Sequence, residues 1–352
     1  MRENIQNVLG RRVWDSRGCP TIEVEVHLEG GAIGRAVAPA GASRGMNEAC
    51  DLRDGGNLFG GRDVNCALAD INTEIAAAII GLPANDQLRV DQCLLDLDGT
   101  ENKTRFGGSA MIATSMATAW AAAAAQGVPL WRYLSADVTR RLPLPEIQIF
   151  GGGAHAAARV DVQDFMVIAV GAETYSHALD MTAEVYLEAG KLMSDSGLQV
   201  GVADEGGFWP MFDTSEAALD MLVRAIEKAG FRPGEDMAIS LDIAASEFHL
   251  GGAYQLALEN RELSSEEMIE LLVRWINRYP IISIEDPLGE TDEGGLISLT
   301  VKVGDRIQII GDDYLVTNAD RVRKAQTIGA CNAVLVKPNQ AGTLTETRVA
   351  IE

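Results

Sequence analysis

The stretch SSEEMIELLVRWINRYPIISIED, residues 264–286, reads as a helix that runs into a buried strand. Ser264 followed by Glu267 is a capping-box pattern, in which each side chain satisfies an orphan backbone N–H of the other's position. Met268, Leu271, Leu272, Trp275 and Ile276 recur at helical spacing and mark one apolar face, so they are core residues. Pro280 ends the helix. The run that follows, PIISIED, is continuous and β-branched rather than alternating. Three similar runs lie between helical patterns: MAISLDIA (237–244), IQIIGDD (307–313) and NAVLVKPNQ (332–340). Such runs suit parallel strands buried on both faces. Their alternation with helices implies an α/β fold, either a βα barrel or a doubly wound sheet.

Upstream the pattern differs. TIEVEVHLE, residues 21–29, alternates strictly and predicts a half-buried antiparallel strand, with a solvated His27 on its polar face. Gly30 and Gly31 offer a turn, and AIGRAVA (32–38) the returning strand. GGSAMIATSMATAWAAAAAQG (107–127) predicts a buried helix that stops at Gly127. The stretch VTRRLPLPE (138–146), broken by Pro143 and Pro145, marks a boundary. The expected organisation is an α+β domain over residues 1–135 and a βα domain over 136–352.

The chain has 352 residues, 47% of them hydrophobic, which supports two packed cores. Its formal net charge of -22 argues against nucleic acid, which requires a basic surface. The five cysteines, Cys19, Cys50, Cys66, Cys93 and Cys331, are scattered and form no CxxC, which predicts a reduced, cytoplasmic chain. The opening residues show no apolar signal-peptide core, and no apolar run is long enough to predict a membrane span.

The apolar runs share a feature that carries chemistry. Each ends in a charged residue: Asp242, Glu285, Asp312 and Lys337. In a βα barrel the strand C-termini converge on one mouth. Three carboxylates meeting there would repel one another unless a cation sat among them, and an all-oxygen donor set suits Mg²⁺ or Mn²⁺ rather than Zn²⁺. Taken singly, each acid is as easily a helix cap. Lys337 follows three apolar residues and would lie near bound cations, both of which lower a lysine pKa toward that of a useful base. A lysine base working beside Mg²⁺ is a known way to remove a proton next to a carboxylate. An elimination also needs an acid for the leaving hydroxyl, and ADEGGFWP (203–210) offers Glu205 beside Gly206 and Gly207.

These motifs, in this order, resemble the enolase family. DSRGCPTIEVEV (15–26), GASRG (41–45), DLDGTENKTRFGGSA (96–110), VDVQDFM (160–166), ADEGGF (203–208), LDIAASEF (241–248), SIEDPL (283–288), GDDYLVTN (311–318) and LVKPNQAGTLTET (335–347) each match a family block. The resemblance implies an α+β domain followed by an atypical βα barrel that begins ββαα, and dehydration of 2-phosphoglycerate to phosphoenolpyruvate. It implies that Glu205 donates the proton and that Lys337 removes the C2 proton. Asp242, Glu285 and Asp312 would hold the tightly bound Mg²⁺. Ser43 would join the second of two Mg²⁺ sites, and His155 and Gln163 would contact substrate. A homodimer or higher homo-oligomer is expected.

Three positions depart from the family pattern. Asp164 stands where the family usually has Glu, Gly151 in IFGGGAHA replaces the usual Asn, and Arg44 replaces a small hydroxyl residue on the mobile loop. An added guanidinium beside the substrate can bind a further carboxylate or phosphonate. A paralogue acting on a phosphonate analogue, of the carboxyphosphonoenolpyruvate type, is therefore an alternative expectation, as is a non-catalytic scaffold. Family members also continue past the position of Glu352 with an SxRSGE-type segment and a second active-site lysine. From this, an incomplete barrel with little or no activity is expected for residues 1–352.

Overall fold

A computed structural model describes residues 3–38, 41, 44–135, 141–157 and 160–352. The first half of the chain opens with an antiparallel meander of β1 (Ile5–Trp14), β2 (Pro20–Leu28) and β3 (Ile33–Val37), with β2 in the centre. The Asp15 carboxylate closes the first turn by accepting the backbone N–H groups of Arg17 and Cys19 at 2.9 and 2.8 Å. Ile22, Val24, Val26 and Leu28 are buried, as alternation predicts.

The opposite face of β2 is not solvated in the way its polar residues suggest. Glu25 is only 7% exposed, because Arg11 on β1 and Arg35 on β3 reach across to it. His27 is half-buried, with its Nε2 3.5 Å from Glu25 Oε1. The long arginine side chains cover this face while their charge meets the carboxylates.

Against β2 and β3 packs the helix Gly108–Gln126, whose mostly Ala face lets the backbones approach closely. Gly34 is the contact that requires it: a Cβ there would stand 2.1 Å from Ala117 O. Gly127 ends the helix at φ 67, the left-handed geometry expected of a glycine stop.

The second half of the chain has its own core and an eight-stranded sheet. It begins with β4 (Glu146–Gly151) and β5 (Asp164–Ile168), followed by the helix Tyr175–Asp195, the hairpin β6 (Gln199–Val202) and β7 (Phe208–Pro210), and the helix Ser215–Lys228. After β8 (Ala238–Asp242) comes a small meander of β9 (His249–Leu250), β10 (Ala253–Leu256) and β11 (Arg261–Leu263). The helix Ser265–Arg278, β12 (Ile281–Glu285), the helix Glu293–Val303, β13 (Gln308–Gly311), the helix Ala319–Ile328 and β14 (Ala333–Val334) complete the alternation. The sheet order is β14-β13-β12-β8-β5-β4-β7-β6.

The capping box of the helix Ser265–Arg278 is formed, with Ser264 and Glu267 bonded reciprocally. Its five expected apolar residues are all buried, and Trp275 Nε1 donates to Glu216 at 3.0 Å.

Strands β8, β12, β13 and β14 are parallel, as their continuous apolar runs predict. Strand β5 runs antiparallel to both neighbours. That inversion positions the site, because β5 begins at the edge where the parallel strands end. Asp164 at its start faces Gly151 at the end of β4 and Asp242 at the end of β8. Glu285 is in register with Asp242 and Ile310 with Glu285.

Strand β14 is shorter than its sequence suggests. It is paired through Ile310–Ala333 and Gly311–Val334, and as an end strand of the sheet it is only half-buried. Lys337 therefore lies beyond the strand. It caps the short helix Pro338–Ala341, and its backbone N–H is taken by Thr317 Oγ1 at 2.8 Å rather than by the ladder.

Candidate active site

The strand ends bring two groups of side chains to one edge of the sheet. On the β8–β12–β13 side, Asp242, Glu285 and Asp312 are 6, 7 and 3% exposed. Lys337 Nζ pairs with Asp312 Oδ2, and Gln340 Nε2 donates to Asp312 Oδ1 at 2.7 Å. Gln163 Nε2 donates to Asp242 Oδ2 at 2.8 Å. Burial first, then repulsion from Asp164, holds the Asp242 carboxyl well above the usual carboxylate range. Burial and then Asp242 do the same to Glu285.

Among the described residues, the carboxylates of Asp242, Glu285 and Asp312 do not form a set within 4.8 Å of one another; Asp286, Asp312 and Asp313 do. The cause is visible in the hydrogen bonds. Asp286, 3% exposed, turns back to accept the Asp312 and Asp313 backbone N–H groups at 2.9 and 2.7 Å, while Asp312 turns toward Lys337 and Gln340.

Lys337 also departs from expectation. Burial is the largest single influence and works to lower its pKa, but Asp312, Glu285 and Asp242 together outweigh burial and hold the ammonium above the ordinary lysine range. The carboxylates themselves thus favour a protonated lysine.

On the β4–β5–β7 side, His155 Nε2 lies 3.7 Å from Asp164 Oδ2 and 3.6 Å from Glu205 Oε1. His155 and Asp164 are buried, whereas the Glu205 side chain is 54% exposed on its turn. Burial first, and then the Glu205 charge, pushes the Asp164 carboxyl up to about 7. Gly206 at φ +99 makes that turn possible.

The first half of the chain closes over the edge. Ala49 donates its backbone N–H to Gln340 O at 2.9 Å, and Met46 donates to the Glu290 carboxylate at 3.3 Å. Burial, with Asp313 next, pushes the Glu48 carboxyl up to about 7. Arg44 is turned to Asp51, which Arg53 Nε also meets at 2.8 Å. Its guanidinium is thus occupied by a neighbour in its own loop. Ser43 lies outside the described residues, as do residues 136–140 at the expected domain boundary.

Several residues in this arrangement have no counterpart among the expectations: Gln148, Asp286, Asp313, Gln340 and Glu48. Gln148 interrupts the apolar run EIQIF, and Gln340 follows Lys337 by one turn of a proline-led helix, so both had a signal.

The family pattern described as Enolase, N-terminal domain matches residues 5–134, and that described as Enolase, C-terminal TIM barrel domain matches residues 139–352. The chain belongs to the enolase family. It is a lyase-type enzyme with an N-terminal domain and a C-terminal βα-barrel domain. Enolase-family proteins generally bind Mg²⁺. Asp242, Glu285 and Asp312 have the donor chemistry such an ion takes, being buried oxygen donors at the ends of neighbouring strands, although in this structure their carboxylates are not drawn within 4.8 Å of one another. Among the described residues no helix is long and apolar enough to cross a membrane.

Proposed function

We propose that this enolase-family chain dehydrates 2-phosphoglycerate to phosphoenolpyruvate in a Mg²⁺-dependent reaction. The observation that carries the reading is the division of the site. A lysine stands among buried carboxylates at one side, and the half-exposed Glu205 stands beside His155 and Asp164 at the other. Lys337 Nζ takes the C2 proton. The C2–H electron pair first passes into the substrate carboxylate as an enediolate. It then returns to form the C2–C3 double bond as hydroxide leaves C3, and Glu205 protonates the hydroxide to water. Asp242, Glu285 and Asp312 would hold the Mg²⁺, which when bound would supply positive charge for the substrate carboxylate and offset the acids that retain the Lys337 proton. Ser43 would contribute to a second Mg²⁺ site in this reading. His155 and Gln163 orient the substrate, with Asp164 beside them, and Arg44 stays with Asp51. Residues 1–135 cap the barrel of residues 136–352.

The test separates the two proton transfers. C2-deuterium exchange in D₂O is followed by NMR, and dehydration by the ultraviolet absorbance of the enol product. Wild type should show both, and both should require Mg²⁺. Lys337→Ala should lose both, whereas Glu205→Gln should keep exchange and lose about 10²–10⁴-fold in dehydration. Undiminished exchange in Lys337→Ala would remove the lysine from its role. A wild type that exchanges but never dehydrates would sink the reading.

A further inference from the structure

Two of the three departures from the family pattern, Asp164 and Gly151, meet at one side chain that the proposed mechanism does not use. Gln148 on β4 is 6% exposed. Its Oε1 accepts the Gly207 backbone N–H at 2.8 Å, and its Nε2 donates to Asp164 Oδ1. The Gly207 donor fixes which end of the amide is oxygen. Gln148 therefore spans from the turn that carries Glu205 to the carboxylate beside it.

The backbone around the amide is bare. A Cβ at Gly207 would stand 2.6 Å from Gln148 Oε1. A Cβ at Gly151 would stand 2.4 Å from the Ala203 methyl and 3.1 Å from Gln148 Nε2. Any side chain at either position would displace the amide or the Glu205 turn. On the other side of the turn, Tyr186 Oη donates to Gly206 O at 2.9 Å, so the turn is held from both sides. The length of Gln148 also suits the shortness of Asp164. A carboxylate one methylene shorter than the family's usual Glu is met here by an amide long enough to reach it.

We infer that Gln148 is a positioning residue for the acid half of the site, holding the Glu205 turn against Asp164 through one bridging amide, and that Gly151 is small to admit it. This rests on the proposed dehydration. It predicts that the amide matters to hydroxyl departure and not to C2 proton removal.

The experiment compares wild type, Gln148→Ala, Gln148→Asn and the double variant Gln148→Asn with Asp164→Glu. Each is measured for C2 exchange, dehydration and hydrogen–deuterium exchange of the Gly207 amide. In Gln148→Ala, dehydration should fall about tenfold or more, as misplaced catalytic groups do. C2 exchange should stay within about twofold, and Gly207 should lose at least about tenfold of its protection, the scale of one lost hydrogen bond. Gln148→Asn should behave similarly. The double variant moves the methylene from amide to carboxylate and should recover most of the dehydration rate. Parallel loss of exchange and dehydration, with Gly207 protection unchanged, would overturn the inference. So would a double variant no better than Gln148→Asn. If wild type shows neither reaction, the dehydration reading fails, and Gly207 protection alone then decides whether Gln148 holds the turn.

Discussion

At the scale of single residues, the acid side of the site sets a pH dependence. The Asp164 carboxyl is raised from 3.8 to about 7, chiefly by burial and next by Glu205. An acid whose pKa is higher in the folded than in the unfolded chain binds more protons when folded. Stability therefore falls as pH rises from the unfolded pKa through the folded one. Asp164→Asn removes that dependence. In chelator, urea melts of variant and wild type should differ little below about pH 4 and diverge above about pH 7, with the variant gaining about 2–4 kcal/mol. A difference that stays constant across this range would refute the assignment. The same scale shows why the site was only partly legible. Asp242, Glu285, Asp312 and Lys337 stand out because each ends an apolar run, and Glu205 because it sits beside paired glycines. Asp286 follows Glu285 directly, and no pattern says which of two adjacent acids faces the mouth. The backbone decides it: Asp286 adopts φ 38 and turns back to cap Asp312 and Asp313. The rise in the Lys337 pKa escaped for a related reason. Its sign depends on how many carboxylates the fold brings close, not on the apolar residues that precede it.

At the scale of elements, local signals were read well where one segment supplies its own partners. The capping box at Ser264 and the stop at Gly127 are examples. Features set by neighbours were not. Strand β14 looked as long as the other runs, yet it lies at an end of the sheet and forms two residues of ladder. The polar face of β2 looked solvated, yet Arg11 and Arg35 arrive from the flanking strands and cover Glu25. Gly34 belongs to this second kind. Its role is to let the helix Gly108–Gln126 touch β3, and a methyl there would stand 2.1 Å from Ala117 O and Ala121 N. Both obstacles are backbone, so no side chain can swing aside. Gly34→Ala should destabilise the protein by about 1–3 kcal/mol, the usual cost of overpacking, seen as a lower urea midpoint with an unchanged slope. A neutral substitution would mean that the helix slides on the sheet without cost.

At the scale of the whole molecule, the first half of the chain does more than cover the barrel edge. It grips the segment that carries the proposed base. Thr345 donates its backbone N–H and hydroxyl to Asp91 Oδ2 at 2.9 and 2.6 Å, and Gln87 Nε2 donates to Asp91 Oδ1 at 2.9 Å. Leu344 donates its N–H to Ser115 Oγ at 3.0 Å, and Lys103 pairs with Glu346 at 2.6 Å. Asp91 is fully buried; burial raises its carboxyl pKa, these donors oppose the rise, and nothing takes its place as acceptor when it is removed. Asp91→Ala leaves several donors unpaired in the interior and should cost about 1–3 kcal/mol. Thr345→Val removes only one of the two donors that Thr345 offers, the hydroxyl, since its backbone N–H remains. The double variant should then be less destabilised than the sum of the single ones, by a coupling of about 0.5–3 kcal/mol. The functional consequence follows from chain connectivity. Seven residues separate Lys337 from Thr345, and Gln340 between them both accepts from Ala49 and donates to Asp312. Loosening the grip should displace Lys337 more than Glu205, which sits on the turn between β6 and β7 instead. C2 exchange in Asp91→Ala should therefore fall about tenfold or more, as catalytic groups out of place do. Additive melts, or a variant that loses stability while exchange is unchanged, would show that the two domains dock without steering the base.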